Sequence, residues 1–150
     1  RAGALFVIDD RADIAALLDA GLHVGQDDLP PCDARRVLGP NRILGFSTHN
    51  PEQFAAALEE PADYLAFGPV FPTATKVNPD PVVGIDALRS LRDSTDRPIV
   101  AIGGITRLNA RAVLGAGADS VAVIADILTG SCTVETLRAR MEEWQQLVRS

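Results

Sequence analysis

The 150-residue sequence predicts an α/β fold that forms part of a (β/α)8 barrel of the TIM type, and three observations predict it. Short β-rich apolar runs alternate with segments of helical periodicity, the pattern of βαβ units around a parallel sheet. Glycines and polar residues gather just after several of these runs, at Asp9-Asp10, Gly25-Gln26-Asp27-Asp28, Ser47-Thr48-His49, Gly68 to Lys76 and Gly103-Gly104. Chemistry spread over successive strand ends is the barrel arrangement. A dinucleotide-binding sheet would instead carry G-x-G-x-x-G after an early strand, and the sequence has none. Six βα units fit into the chain, too few to close eight strands, so this reading places two further units outside these residues.

Taken in order, the predicted strands are 4–8, 21–24, 42–45, 64–67, 99–102 and 120–124. They are apolar on both faces, as buried parallel strands covered by helices must be. The predicted helices are 12–18, 32–38, 51–59, 85–92, 108–116 and 134–148. Asn50-Pro51-Glu52 supplies an N-cap, a proline in the first turn and an acid near the positive end of the helix dipole. Thr106 is the expected cap of the fifth helix, and Gly115 and Gly117 are its expected stops. No tandem sequence repeat or low-complexity stretch is present, and the whole chain, 1–150, reads as one domain.

Composition narrows the function classes. The chain is 47% hydrophobic and 23% charged, which suits a folded soluble domain. A net charge of -6 argues against nucleic acid or an anionic membrane as a general partner. It leaves room for a local phosphate site, which backbone N–H groups and one or two cations can build. Cys32 and Cys132 form no C-x-x-C pair and read as free thiols of a reducing cytoplasm. No run reaches the roughly 18 apolar residues of a membrane span. The chain opens almost directly on the apolar run Ala4-Leu5-Phe6-Val7-Ile8, so the expectation is a barrel that is incomplete at its N-terminal side.

Four groups of residues can carry chemistry. Gly103-Gly104-Ile105-Thr106 and Ile124-Ala125-Asp126-Ile127 each follow a late strand, where phosphate sites of barrels are common, although the glycines alone could simply make a tight turn. Thr73-Ala74-Thr75-Lys76 lies in a proline-rich loop; its hydroxyls and ammonium suit a phosphate clamp or a lid, and equally a solvated loop. Asp9 and Asp28, with Asp10 and Asp27 as competitors, could meet across the barrel mouth as a magnesium pair completed by substrate oxygens, or could serve as helix caps. Ser47 and His49 lie two residues apart on an extended segment, but no third group is evident to orient the imidazole as a base. His23, inside the second strand, reads as structural.

The motifs His23-Val24-Gly25-Gln26-Asp27-Asp28-Leu29, Ser47-Thr48-His49-Asn50, Ala62-Asp63-Tyr64, Gly68-Pro69-Val70-Phe71-Pro72-Thr73-Ala74-Thr75-Lys76, Ala101-Ile102-Gly103-Gly104-Ile105 and Gly117-Ala118-Asp119-Ser120-Val121-Ala122-Val123-Ile124 occur in register. Together they resemble the thiamine-phosphate synthase family over essentially the whole chain, which would make the six units strands 3–8 of the barrel. The resemblance implies a Mg2+-dependent transferase of thiamine biosynthesis that joins hydroxymethylpyrimidine diphosphate to thiazole phosphate and releases pyrophosphate. It implies Asp9 and Asp28 as Mg2+ ligands, and Ser47 and Lys76 as the catalytic contacts to the pyrimidine diphosphate. Thr73, Ala74 and Thr75, with the backbone of Gly104, Ile124 and Ala125, would hold the thiazole phosphate.

Two positions depart from the family pattern. The family's Gln-x-Arg-x-Lys motif, which grips the pyrimidine diphosphate, does not occur in these residues, and Ile8 stands where the family usually has Asn. The 150 residues alone are therefore expected to be inactive or nearly so, and to associate with a second copy or with a complementing segment. The alternative functions are a thiazole tautomerase using His49 for proton transfer and a non-catalytic binder of thiazole phosphate.

Overall fold

The structure, a computed structural model, describes residues 3–76 and 78–149. Strands and helices alternate in the order β1 (Val7–Asp9), α1 (Ala12–Leu17), β2 (Gly21–Val24), α2 (Pro31–Leu38), β3 (Leu44–Thr48), α3 (Pro51–Ala57), β4 (Tyr64–Phe67), α4 (Gly84–Leu91), β5 (Ile99–Ala101), α5 (Ala110–Gly115), β6 (Ser120–Val121) and α6 (Val134–Arg149). Every neighbouring pair of strands is parallel, in the sequential order β1 to β6. Among the described residues no pairing joins β6 back to β1. The observed architecture is thus a six-stranded parallel α/β sheet.

Period-two alternation decides which face the helices cover. Leu22 and Val24, Leu44 and Phe46, Leu65 and Phe67, and Ile99 and Ala101 enter one buried cluster with residues of all six helices, among them Ala15, Leu38, Phe54, Leu88, Val113 and Trp144. Phe54 and Phe67 meet edge to face, with ring centroids 5.7 Å apart. Burying each such ring contributes roughly 2–3 kcal/mol. The opposite face carries His23, Gly45, Ser47 and Tyr64. Parallel pairing brings all six strand C-termini to one rim, and the first residues of the following loops stand there.

A repeated device sets the lower rim. Asp63, just before β4, accepts the Leu44 N–H of β3 at 2.6 Å and a hydrogen bond from Arg35 of α2 at 2.7 Å. Asp119, just before β6, accepts the Ile99 N–H of β5 at 2.8 Å and Arg92 at 2.6 Å. Each carboxylate ties a strand start to the neighbouring strand and to an arginine in, or just after, the helix that precedes that neighbour, which is why Ala-Asp precedes both strands. Asn50 caps α3 as its sequence indicates, its side-chain oxygen accepting the Gln53 N–H at 2.8 Å. Cys32 and Cys132 are both free and exposed.

Several expected boundaries move. The third strand is Leu44–Thr48 rather than 42–45, because the pairs Ser47↔Ala66 and Thr48↔Phe67 extend it upward; Ser47 and Thr48 are therefore strand residues. β1 begins at Val7 instead of residue 4, with Leu5 and Phe6 exposed. β6 ends at Val121 rather than at residue 124, since β5, its one neighbour in the described sheet, ends at Ala101. Thr106 does not cap α5 with its side chain: Asn109 stands at the cap position, and its Oδ1 accepts the Thr106 N–H at 2.8 Å.

Candidate active site

Strand register assembles the floor of the site. Asp9 pairs with His23, His23 with Gly45, and Gly45 with Tyr64, so four residues form one row across four strands. Gly45 has to be glycine there, because a Cβ would stand 2.1 Å from the Tyr64 ring and 2.4 Å from His23 Nδ1. In the space it leaves, the His23 and Tyr64 rings stack at 5.5 Å and the Tyr64 hydroxyl bonds His23 Nδ1 at 2.9 Å. One step up β3, the buried Ser47 hydroxyl meets His23 Nε2 at 2.8 Å. Loss of solvation holds the His23 imidazole below its ordinary pKa, while the charges of Asp9 and Asp28 pull the other way. A neutral imidazole joined to a serine hydroxyl and a phenol can hold or relay a proton at Ser47 Oγ.

Above this floor opens a cleft of about 760 Å³, lined by Asp9, His23, Ser47, Pro72, Thr73, Ala74, Thr75, Lys76, the turn from Ile102 to Thr106, and Ala122, Ile124 and Ala125. The loop after β4 forms its lid-side wall and is stapled to the β5 turn: Val70 N–H donates to Ile102 O at 2.9 Å and Phe71 N–H to Gly103 O at 3.1 Å. Gly104, with φ +65°, lies directly beneath that loop, where a Cβ would stand 2.5 Å from Pro72 O. Asn109 fixes the turn from below, bonding both Thr106 N–H and Gly104 O. Because α5 starts only at Ala110, Gly103 and Gly104 present a turn to the cleft and not a helix N-terminus.

The Thr73 and Thr75 hydroxyls bond each other at 3.3 Å, and Lys76 Nζ pairs with Asp80 at 3.1 Å. Asp80 also faces His49 Nδ1 at 3.7 Å, and that same nitrogen donates to Gly68 O at 2.7 Å. Partial burial works against ionisation of Asp80, but the Lys76 hydrogen bond and the charges of His49 and Lys76 hold its carboxyl below the ordinary value. His49 and Asp80 line a smaller cavity of about 280 Å³, which shares Thr73, Thr75, Lys76, Ile102, Gly103 and Ile124 with the main cleft.

The carboxylates collect at the β1 and β2 ends. Asp28 Oδ2 accepts the Gly25 N–H at 2.7 Å, closing the loop that follows β2. Asp10, at φ 61°, donates its N–H to His23 O at 2.9 Å. Desolvation, a hydrogen bond with Asp28 and the charges of Asp9 and Asp28 push the Asp10 carboxyl up to about 6. Among the described residues no group of three or more His, Cys, Asp or Glu side chains could hold a metal ion by itself.

Of the residues singled out in the sequence, one cleft brings together Asp9, Ser47, Thr73, Ala74, Thr75, Lys76, Gly104, Ile124 and Ala125. Asp28 does not line it; it meets Asp10, the neighbour of the cleft-lining Asp9. His49 sits in the adjoining cavity and does not meet Ser47; the partner of Ser47 is His23, which sequence reasoning treated as structural. The signal was available, since apolar Leu22 and Val24 flank His23 and alternation puts the imidazole on the face opposite the helices. Ile8 pairs with Leu22 and packs against the core, so an apolar side chain is accommodated there. Tyr64 is legible in the sequence only as a strand and motif residue, and neither it nor Asp80 stands among the expected site residues. No helix among the described residues is long and apolar enough to cross a membrane.

The thiamine monophosphate synthase family model matches residues 1–127. The chain is 54% identical over 145 residues to a thiamine-phosphate synthase of Koribacter versatilis, an alignment covering 96% of this chain and 66% of the relative. It is 43% identical over 150 residues to the thiamine-phosphate synthase of Chloroflexus aurantiacus, covering 97% of this chain and 69% of that one. The solved thiamine phosphate pyrophosphorylase from Pyrococcus furiosus superposes with a TM-score of 0.84 at 39% identity, over 97% of this chain and 68% of that structure. The chain thus spans about two thirds of the length of these relatives. With its motifs in register and its cleft built from them, the chain belongs to the thiamine monophosphate synthase family.

Proposed function

We propose that this chain carries the substrate cleft of a thiamine-phosphate synthase, a cytoplasmic transferase that condenses hydroxymethylpyrimidine diphosphate with thiazole phosphate and releases pyrophosphate. The observation that supports it most is the convergence of Ser47, the loop from Thr73 to Lys76, Gly104, Ile124 and Ala125 on one cleft at the strand C-termini. In this reading the sheet continues into a closed (β/α)8 barrel through two further strands.

The role of each residue follows from its chemistry. The Thr73 and Thr75 hydroxyls, with the backbone at Ala74, Gly104, Ile124 and Ala125, hold the thiazole phosphate. Lys76 leaves Asp80 to meet the diphosphate, and Ser47, held by His23, hydrogen-bonds the pyrimidine substrate. Asp9 and Asp28 would hold Mg2+: two carboxylates crowded against Asp10 are too few for an all-protein cage and suit a hard cation that takes its remaining ligands from diphosphate and water. When bound, the ion would offset the charge of the leaving pyrophosphate. Pro72 and the loop that follows it, which line the cleft, would exclude water from the reacting centre. The Gln-x-Arg-x-Lys motif is missing from the sequence, and Lys76 is its only lysine; these 150 residues alone should bind the substrates yet turn over slowly or not at all.

Partners follow from the sheet's edges. Leu5 and Phe6 are exposed at β1, and Val121, Val123, Ile127, Met141 and Trp144 line an apolar groove of about 470 Å³ beside β6. A second copy of the chain or a complementing segment should cover these surfaces, and light scattering that finds a stable, peptide-free monomer would contradict this. The functional reading is tested by calorimetric titration of thiazole phosphate. Saturable binding that is lost on replacing Thr73 and Thr75 together by Val is expected, and absence of binding at millimolar ligand would refute it.

A further inference from the structure

Arg107 follows Thr106 and Asp126 follows Ala125, so each lies one residue beyond a turn that lines the cleft. Asp126 Oδ2 accepts two hydrogen bonds, from Arg107 Nε at 2.8 Å and from Trp144 Nε1 of α6 at 3.0 Å. Arg107 also pairs with Glu143 of α6, and Arg140 of α6 donates to Ile127 O at 2.8 Å. The two turns and α6 thus meet at a single carboxylate oxygen. Trp144 is 5% exposed, so its indole N–H has little water to fall back on if that oxygen is removed.

We propose that Asp126 is a positioning residue for phosphate: through Arg107 and Trp144 it holds the Gly104 turn and the Ile124-Ala125 turn at the separation one phosphate requires. This rests on the phosphate reading of the cleft and adds a residue that does not line it. The geometry carries a second consequence. A carboxylate one residue from an anion site repels the anion unless it is neutralised, and Arg107 neutralises it. The Arg107–Asp126 pair therefore supplies order without adding negative charge of its own, and the half-exposed Glu143 that shares Arg107 is screened by solvent, whereas a neutral anchor or a lone acid would fail in one respect or the other. Spacing matters because two backbone donors serve one phosphate only when held within about 0.5 Å of the productive geometry.

The test is a titration of the intact 150-residue chain with inorganic phosphate, followed by ¹⁵N NMR at the Gly104 and Ala125 amides. In the parent both amides should shift with one dissociation constant. Asp126→Ala should weaken phosphate about tenfold, the scale of losing charge-assisted hydrogen bonds. It should also raise ligand-free amide exchange at both turns. Trp144→Phe, which keeps an aromatic ring but deletes the N–H together with the indole's five-membered ring, should weaken binding about threefold, less than Asp126→Ala because the Arg107–Asp126 bond remains; it decides the matter if Asp126→Ala does not fold. Arg107→Met should weaken binding more than the Arg107→Met/Asp126→Ala double variant, because the single variant leaves Asp126, the carboxylate next to the turn, without Arg107, whereas the double variant leaves only the more distant, half-exposed Glu143. A purely structural network would lower thermal stability while phosphate affinity, measured well below each unfolding midpoint, stayed at the parent value. That result overturns the inference. Parent amides that ignore phosphate at tens of millimolar would refute the phosphate reading itself, and the inference with it.

Discussion

Replacing Gly104 by alanine should destabilise the fold and the cleft together. Two effects add at this position. The backbone has φ +65°, a left-handed conformation that carries a penalty of about 1 kcal/mol for a residue with a Cβ. The new Cβ would also stand 2.5 Å from Pro72 O and 2.8 Å from Phe71 Cβ, and because the first contact is backbone, no side-chain rotation relieves it. Overpacking of this kind costs about 1–3 kcal/mol. The sum is about 2–4 kcal/mol, and with a urea dependence of about 2 kcal/mol per M the midpoint should fall by about 1–2 M. The loop that must yield is the one bearing Thr73 to Lys76, stapled to this turn through Val70 and Phe71. Thiazole phosphate affinity should therefore fall as well, even at temperatures where the variant is folded. A Gly104→Ala protein within 0.5 M of the parent midpoint and with unchanged affinity would refute the packing of this loop against the β5 turn.

Two further predictions concern titration and register. His23 keeps its proton off in the fold below its ordinary value of 6.5, so the unfolded chain binds more protons there, and the His23 contribution to stability should be lost as pH falls below 6.5. Asp10, raised to about 6, acts in the opposite sense between its ordinary 3.8 and 6; the readout is therefore the difference between parent and His23→Gln in urea midpoints from pH 7 to 5, and identical slopes would exclude the buried, neutral imidazole. Asp119→Ala deprives the Ile99 N–H and Arg92 of their shared acceptor and should cost about 1–2 kcal/mol, whereas Asp119→Asn, which keeps an acceptor oxygen, should cost less. Equal unfolding temperatures for the two variants would contradict the role assigned to this clamp.

What could be read from the sequence depended on whether the deciding interaction was local. The strands at 21–24 and 64–67 stand where their apolar runs place them, and Asn50 caps α3 because the cap lies three residues from its partner. The third strand shifted because its upper end is set by pairing with Phe67, 19 residues away, which no local pattern encodes. Ser47 drew attention together with His49, its sequence neighbour, yet its bond is to His23 on the adjacent strand. The Lys76–Asp80 pair was within reach of a reading of the loop's charges, whereas the meeting of Arg107, Asp126 and Trp144 depends on where α6 crosses the rim. Gly104 was singled out as a point of ligand approach; the structure adds that the chain's own Phe71 and Pro72 already fill the space a side chain would need.

The carboxylates and the cleft converge on one measurement: the affinity of the chain for pyrophosphate, by calorimetry, with and without Mg2+, in the parent and in Asp9→Asn. If Asp9 and Asp28 hold the ion and Lys76 meets the diphosphate, Mg2+ should tighten pyrophosphate binding by about tenfold, and pyrophosphate should tighten Mg2+ by the same factor, since the coupling is reciprocal. Asp9→Asn should abolish the coupling while leaving weak, metal-independent binding. A single affinity for pyrophosphate, the same with or without Mg2+ and the same in both proteins, would contradict the transferase reading of this cleft.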